Sequence, residues 1–436
     1  MKSNKNSTRG FESNPVELGE ADSRINFWKL WGANIFSNLG DGLYQITLPL
    51  LAIHLTRSPA RVAALSVMLS LPWLIFALFA GSIVDRFDRR RIMLWVNGGR
   101  LILLFFLTMT VIFDFASMSL LYGMALLLGM GETLMDTSLT SIVPSLVSKN
   151  RLNWANAQIT AAQTVTNTFI GPPLAGYLAG IGYAVATGIS TVLYAIAGIT
   201  LTLMNGVIPI SGKEEQQQKQ QLWKHLTHGL QFLWKDDLIR KLTLFTALMN
   251  LFWAGWGALF VLYAVKPGPM GLNEFEYSLL LTAMALGGLA GSMFCEQIQQ
   301  KIGLRNTLVL DLLGTILLVG IPALTTNFWA VGAATFMAGL GASVWVILVA
   351  SIRQRVVPNI LLGRVYSASR LISWGVGPLG ASLAAIIAEI WGIRGLFALG
   401  SALSVGLLLL FLKTFSSMTL KAFEDSSIQS PKNEIN

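Results

Sequence analysis

The chain has 436 residues, of which 53% are hydrophobic and only 12% are charged. Soluble domains carry about 25% charged residues, so this composition excludes a protein whose whole surface faces water. The single cysteine, Cys295, excludes a disulfide framework within the chain, and the three histidines lack the spacing of zinc ligands. The net charge of +9 is typical of the cytoplasmic loops of a membrane protein, and we predict no nucleic-acid partner.

The first 25 residues are polar and lack the compact apolar core of a cleavable signal, which predicts a disordered cytoplasmic tail. A membrane-spanning helix needs about 20 mostly apolar residues. Twelve stretches, numbered here as spans 1 to 12, meet this requirement at 27–54, 61–84, 92–113, 117–139, 153–180, 182–209, 241–264, 276–297, 306–324, 328–351, 362–389 and 394–413. The sequence therefore predicts an all-α membrane protein with twelve transmembrane helices.

A polar stretch at 211–240 separates six spans from six. Its second part carries apolar residues at helical spacing, namely Trp223, Leu226, Leu230, Leu233 and Trp234. This pattern predicts an amphipathic helix on the inner membrane surface. The predicted organisation is a tail at 1–25, a six-helix bundle at 26–210, a cytoplasmic linker at 211–240, a second six-helix bundle at 241–414 and a cytoplasmic tail at 415–436.

The distribution of Lys and Arg predicts the orientation. With the N-terminus inside, 26 of the 31 basic residues lie on the inner side and 4 on the outer side, and Arg100 lies within span 3. Basic residues accumulate in cytoplasmic loops. We therefore expect both termini in the cytoplasm and the protein in the cytoplasmic (inner) membrane of a bacterium.

Three landmarks recur in the same order in both halves. Gly81-Ser82 recurs as Gly291-Ser292, Val143-Pro144 as Val357-Pro358, and Gly171-Pro172 as Gly377-Pro378. One such match arises readily by chance, but three in order predict a duplicated six-helix unit. Paired halves around a site in the middle of the membrane are the architecture of alternating-access transporters.

A short charged loop at 81–92, between spans 2 and 3, is the most specific local signal. A glycine at its start lets a neighbouring helix approach closely, and its charges can form ion pairs that break when two halves of a transporter rock. Ordinary positive-inside charge would explain the arginines but not the two aspartates. The candidate gate clamp consists of Gly81, Asp85, Arg86, Asp88, Arg89 and Arg90, with Asp136 of span 4 as a partner for Arg86 or Arg89.

This loop resembles the signature loop of the major facilitator superfamily, with Asp88 in place of the usual glycine. The segments 37–42, 55–59, 131–136 and 228–233 are similar to motifs of its drug- and siderophore-efflux branch, which includes macrolide-efflux proteins and the enterobactin exporter. The resemblance runs from about residue 26 to 413. It implies the major facilitator fold, two pseudo-symmetric six-helix bundles, and export of a drug-like compound or a siderophore-type metabolite.

Polar residues inside the spans form two stripes at helical spacing. The stripe on span 1 is Asn34, Asn38, Asp41 and Gln45, and the stripe on span 5 is Asn156, Thr160, Gln163 and Asn167. The two stripes are candidates for the lining of one aqueous substrate cavity. The alternative is hydrogen bonding between helices, which uses the same residue types.

Three charged residues lie deep in the membrane and are candidates for proton coupling: Asp41, Glu132 and Arg100. Charges at this depth are costly and mark functional sites by default, and a carboxyl group in a poorly hydrated cavity can exchange a proton near neutral pH. The alternative is a permanent ion pair of a carboxylate with Arg100. Asp311 on span 9 is interpreted as structural.

The sequence lacks the motifs of serine hydrolases, zinc proteases and phosphate-binding loops, so we expect no enzyme activity, no cofactor and no metal. Any pumping must then draw on an ion gradient. The predicted function is proton-coupled antiport by a monomer in the lipid bilayer, with a small molecule as substrate. The alternatives are an uptake carrier of the same fold for a lipid or nutrient, and a membrane sensor or scaffold that transports nothing.

Overall fold

The computed structural model of the protein describes residues 20–148, 151–204 and 228–415. These residues are almost entirely helical. The first half contains Glu20–Leu55 (span 1), Pro59–Ile75 with Ala77–Arg86 (span 2), Arg89–Ile112 (span 3), Met118–Leu146 (span 4), Leu152–Gln163 with Gly171–Ile181 (span 5) and Tyr183–Thr202 (span 6). The second half contains Asp237–Ala264 (span 7), Glu274–Leu324 (spans 8 and 9), Phe328–Val356 (span 10), and Asn359–Gly375 with Gly377–Thr414 (spans 11 and 12).

Among the described residues, seven helices are long and apolar enough to cross a membrane. Two of these, Glu274–Leu324 and Leu361–Thr414, are long enough for two spans each, so the seven helices account for nine spans. The other three are span 1, which carries more polar residues, and spans 2 and 5, which are interrupted. The predicted all-α arrangement of twelve spans is confirmed.

Two of the predicted loops between spans are reduced to a break at one glycine. Gly303 separates spans 8 and 9 with φ 79°, and Gly392 separates spans 11 and 12 with φ 74°. Glycine adopts such positive φ angles without the steric cost that a Cβ imposes. The chain therefore reverses direction at each of these glycines. Helical residues continue up to the glycine on both sides.

The Gly-Pro landmarks mark equivalent interruptions in spans 5 and 11. A π-helical turn, Thr164–Ile170, ends at Gly171-Pro172, and the helix that starts at Gly377-Pro378 follows a break at Val376. Proline interrupts a helix because it lacks an N–H and its ring collides with the preceding turn. The repeated motif thus coincides with an interruption of the helix in both halves, through a π-helical turn in span 5 and a break at one residue in span 11.

Spans 1, 3, 4 and 6 pack together in the first half, and the two halves meet along spans 2 and 11 and along spans 5 and 8. We call the end at which span 1 begins and span 12 ends the terminal face, and the other end the opposite face. Towards the opposite face one apolar cluster joins both halves and includes Leu50, Leu178, Phe260, Leu280 and Ala385. Four hydrogen bonds at this face join the same halves: Arg57 to the Lys266 carbonyl, Ser58 and the Ala60 amide to Glu389, and Tyr183 to Glu274.

Towards the terminal face, each half has an apolar cluster of its own. The cluster of the first half contains Phe27 and Ile142, whereas that of the second half contains Leu308 and Trp345. The two halves are therefore sealed together at the opposite face, and the space between them opens at the terminal face.

The predicted amphipathic helix lies only partly within the described residues, since Trp223 and Leu226 fall outside them. Residues 228–235 are helical, and Leu233 is fully buried in a small cluster with Ile239 and Val365. The backbone of Gly229 lies so close to span 11 that an added Cβ would be 2.3 Å from the Arg364 carbonyl oxygen. This segment packs on the second half at the terminal face.

Spans 8 and 10 approach each other at two glycines, and we predict that both are required for stability. A Cβ on Gly287 or on Gly339 would lie 1.9 Å from a carbonyl oxygen of the facing span. Gly287→Ala and Gly339→Ala should each destabilise the protein by about 1–3 kcal/mol, because the spans must separate. Thermal unfolding of the detergent-solubilised protein measures this, with Gly123→Ala, whose Cβ would meet nothing within 4 Å, as the control. Equal unfolding temperatures for all three variants would contradict the prediction.

Candidate functional site

A buried ion pair between spans 1 and 3 forms the centre of the site. Arg100 Nη1 lies 2.9 Å from Asp41 Oδ1, and the two side chains are 1% and 6% exposed. The Tyr194 hydroxyl of span 6 donates to the same carboxylate oxygen at 2.7 Å, and the Arg100 guanidinium lies 5.4 Å from the centre of the Tyr194 ring. Of the two predicted interpretations of Arg100, the structure favours the ion pair, with Asp41 as the partner.

The spacing of these residues along their helices places them at one depth. At 1.5 Å per residue, Arg100 lies about 17 Å from the start of span 3, and Glu132 lies about 21 Å from either end of span 4. Small neighbours provide the space, since a Cβ on Gly40 would lie 3.0 Å from the Tyr194 ring and one on Gly131 would lie 3.0 Å from Arg100 Nε. The cluster therefore occupies the middle of the predicted membrane.

Glu132 borders this ion pair without taking part in it as a hydrogen-bonded partner. Its carboxylate accepts a hydrogen bond from the Tyr44 hydroxyl at 3.0 Å and one from Gln45 Nε2 at 3.3 Å. The side chain is half-buried, whereas Asp41 is buried. Within the described part of the chain, Glu132 is thus the proton-coupling candidate whose hydrogen bonds come from neutral groups and whose side chain is partly exposed.

The two predicted polar stripes occupy different environments. On span 1, Asn34 and Asn38 are buried, and Asn38 Nδ2 donates to the side chain and the carbonyl of Asn34 at 2.9 Å. On span 5, Asn156 and Thr160 are exposed, and Gln163 and Asn167 are half-buried. Asn34 and Asn38 therefore lie inside the first bundle, and the lining of one cavity by both stripes stays a prediction.

The charged loop between spans 2 and 3 mainly holds the first bundle together. Asp88 caps span 3 by accepting from the Arg90 amide at 2.9 Å, and it lies 3.9 Å from Arg91. The Arg90 side chain donates to the carbonyls of Leu201 and Thr202 at the end of span 6. Asp88, which stands in place of the glycine of the signature loop, therefore accepts a hydrogen bond from a backbone amide at the start of span 3. The start of a helix is a favourable position for an acidic residue.

The other predicted members of the gate clamp differ in their exposure. The side chain of Asp85 lies outside the described part of the structure, Arg86 is exposed and Arg89 is half-buried. Gly81 has open space around it, and the close approach between spans 2 and 4 occurs at Gly129, where a Cβ would lie 2.8 Å from the Leu69 carbonyl oxygen.

Asp136 of span 4 and Arg370 of span 11 belong to different halves of the protein. Asp136 lies within electrostatic range of Asp41, Arg100 and Arg370, and its pairing with Arg86 or Arg89 stays a prediction. Arg370 is exposed, and its guanidinium lies 5.7 Å from the centre of the Trp73 ring on span 2. The structure thus adds a second arginine to the middle of the molecule.

Arg370 was not among the predicted site residues, because a basic residue near the inner end of a span is typical of positive-inside charge. Arg370 lies about 17 Å along the helix from Asn359. Span 11 was predicted to begin at residue 362, so the signal was present as a charge eight residues inside an apolar stretch. The depth of each basic residue within its predicted span is the signal that identifies Arg370.

Asp311 of span 9 lies apart from this cluster. It is 4% exposed, and its Oδ1 has no hydrogen-bond partner in the described part of the chain. Its backbone packs against Gly341 of span 10, where an added Cβ would lie 2.6 Å from the Asp311 Cα.

Removing one charge of the Asp41–Arg100 pair should destabilise the protein more than removing both charges. Arg100→Gln leaves a buried carboxylate without its cation, and such a loss costs about 3–5 kcal/mol. The double variant Asp41→Asn/Arg100→Gln removes both charges and should recover a large part of that loss. A double-mutant cycle on thermal unfolding measures the coupling, and additive effects of the two substitutions would contradict the ion pair.

The sequence and the fold are similar to those of known transporters. The chain is 24% identical over 335 residues to the enterobactin exporter EntS of Escherichia coli O6:K15:H31, covering 76% of this chain and 78% of the relative. It is 22% identical over 390 residues to macrolide efflux protein A of Streptococcus pyogenes, covering 88% and 94%.

Among solved structures, the nucleoside transporter NupG superposes with a TM-score of 0.71 at 13% identity, covering 90% of this chain and 99% of that one. A bacterial homologue of the iron transporter ferroportin in an inward-facing state superposes with a TM-score of 0.71 at 17% identity, covering 90% and 98%. Residues 30–378 match the model of the Major Facilitator Superfamily. The chain therefore belongs to the major facilitator superfamily.

Proposed function

We propose that the protein is a secondary active exporter that exchanges protons for a small molecule by rocker-switch alternating access. The observation that carries this proposal is the charged cluster around Asp41, Arg100 and Glu132 at mid-depth, beside a space that opens at one face only. Charged groups at this depth are costly to maintain and are typical of proton and substrate pathways. The similarity to two efflux proteins supports the outward direction.

Glu132 is the proposed site of proton exchange. It is half-buried, its hydrogen bonds come from Tyr44 and Gln45, and the Asp41–Arg100 pair lies next to it. A carboxyl group between a hydrated space and a buried ion pair can take up a proton without breaking that pair. Asp41 and Arg100 then hold the surrounding charge in place while Glu132 gains and loses its proton.

The open face is proposed to be the cytoplasmic one. The terminal face carries the ends of the chain, and the basic residues of the sequence accumulate on that side. The structure then corresponds to an inward-facing state of a monomer in a bacterial cytoplasmic membrane, with both termini in the cytoplasm. A drug-like compound or a siderophore-type metabolite would enter from the cytoplasm, past the exposed residues of span 5, and the gate clamp would close behind it.

Removal of the Glu132 carboxylate should abolish proton coupling and leave the fold intact. Glu132→Gln keeps the shape of the side chain and its capacity for hydrogen bonds. We expect everted membrane vesicles with this variant to show substrate-dependent proton movement at least about a hundredfold below wild type, the lower end of the range for one group in proton transfer. The control is Asp311→Asn, which removes a more deeply buried carboxylate outside the cluster and should retain coupling. Undiminished antiport by Glu132→Gln would remove this residue from the mechanism.

Cysteine labelling tests the orientation and the state. In a Cys295→Ser background, Thr160→Cys on span 5 is exposed, whereas Ala388→Cys lies in the buried seal, where Ala388 is 4% exposed. A membrane-impermeant maleimide should label Thr160→Cys in everted vesicles and leave Ala388→Cys unlabelled. Labelling of Thr160→Cys only in right-side-out vesicles would reverse the proposed orientation.

A further inference from the structure

Glu389 of span 11 contacts span 2 of the other half at the opposite face. Its Oε1 accepts a hydrogen bond from the Ser58 hydroxyl at 2.9 Å and another from the Ala60 amide at 3.3 Å. Both donors belong to the start of span 2, which begins at Pro59 with Ser58 as its N-cap. A carboxylate of one half therefore completes the capping of a helix in the other half.

Span 2 depends on this contact because its own residues supply only part of the cap. Pro59 has no N–H, so Ala60 and Arg61 carry the first two amides of the helix. The Arg61 amide donates to Ser58 Oγ of the same half at 3.4 Å, whereas the Ala60 amide donates to Glu389. Separation of the halves at this face removes the protein partner of the Ala60 amide and leaves that of the Arg61 amide in place.

The position of Glu389 in its own helix is unfavourable for a carboxylate. It lies in the last turn of span 11, just before the break at Gly392. The last turn of a helix presents unpaired carbonyl groups and the negative end of the helix dipole, whereas the first turn presents unpaired amides and the positive end. The start of span 2 therefore stabilises the charge of Glu389 while the face is closed, and this stabilisation is lost when the face opens.

The equivalent helix of the second half is capped within that half. Span 8, which corresponds to span 2 in the repeat, begins at Glu274 with Asn273 as its N-cap. Asn273 Oδ1 accepts from the Glu276 amide at 2.8 Å, and Glu276 Oε2 accepts from the Asn273 amide at 2.9 Å. Both helix starts at this face thus use a carboxylate as a cap, but only the one on span 2 comes from the other half.

We infer that Glu389 is a gate residue of the opposite face: its carboxylate holds the two halves together in the inward-facing state, and its loss shifts the protein towards the outward-facing state. This inference rests on the proposed rocker-switch mechanism and names a residue that stabilises one of its two states. The hydrogen bonds of Arg57 and Tyr183 across the same face and the apolar cluster beneath them remain without Glu389. The expected effect is therefore a shift in population and not permanent opening.

Cysteine labelling in right-side-out vesicles measures the opening of this face. The reporter is Ala385→Cys in a Cys295→Ser background, because Ala385 lies one helical turn from Glu389 and is 6% exposed within the apolar cluster that joins the halves. Glu389→Ala should raise the rate of labelling by a membrane-impermeant maleimide about 2- to 30-fold, the factor by which loss of one helix cap shifts an equilibrium. Glu389→Gln, which keeps an acceptor oxygen without the charge, should give an intermediate rate.

Glu276→Ala is the matched control. It removes a capping carboxylate at the same face whose partner lies in its own half, so it should lower the unfolding temperature about as much as Glu389→Ala and leave the labelling rate unchanged. Ser58→Ala tests the contact from the other side. Combined with Glu389→Ala, it should raise the labelling rate no further than Glu389→Ala does alone, because both substitutions remove the same contact between the halves.

Other outcomes separate this inference from the proposed function. Equal labelling rates for Glu389→Ala and Glu276→Ala, or additive effects of Ser58→Ala and Glu389→Ala, would overturn the gate residue while the proposed exporter stands. A rise for Glu389→Ala that occurs only in everted vesicles would support the gate residue and reverse the proposed orientation. Failure of Ala385→Cys to react in any variant, in vesicles of either orientation, would contradict both the gate residue and the alternating access on which it rests.

Discussion

The buried pair of Asp41 and Arg100 is the constraint on which the rest of the central site depends. An arginine at this depth is tolerated only with a partner that compensates its charge, and Asp41 provides it at 2.9 Å. The Tyr194 hydroxyl adds a hydrogen bond to the same oxygen, so spans 1, 3 and 6 are held at fixed distances. Glu132 and Asp136 on span 4 therefore lie in the electric field of a charge pair whose position is fixed.

The two halves of the chain share a fold but divide its chemistry unequally. In the first half, Arg100 packs beneath Gly131 of the next span. In the second half, Asp311 packs beneath Gly341, at the corresponding place in the repeat. The duplicated packing is preserved, whereas the cation of one half is replaced by a lone carboxyl group in the other. The charged pair is therefore a feature of one bundle.

Much of the fold could be predicted because twelve apolar stretches and three repeated landmarks are visible in the sequence. What the sequence could not show was which polar residues point inward within a bundle. Asn38 and Thr160 belong to stripes with the same spacing, yet one hydrogen-bonds inside the first bundle and the other is exposed. Residue spacing predicts which residues share one face of a helix, but it does not predict what that face packs against. Arg370 was missed for a related reason, since a count of basic residues by loop ignores their depth.

The π-helical turn in span 5 interrupts the helix that connects the two faces of the protein. The turn at Thr164–Ile170 divides the span into two stiff rods joined by a wider and less ideally bonded segment. The rod at Gly171–Ile181 is packed against span 8 of the other half, whereas the rod at Leu152–Gln163 belongs to the open end. Span 5 thus joins a segment packed on span 8 to a segment packed on span 1, and any rocking of the two halves would bend the span at the π-helical turn.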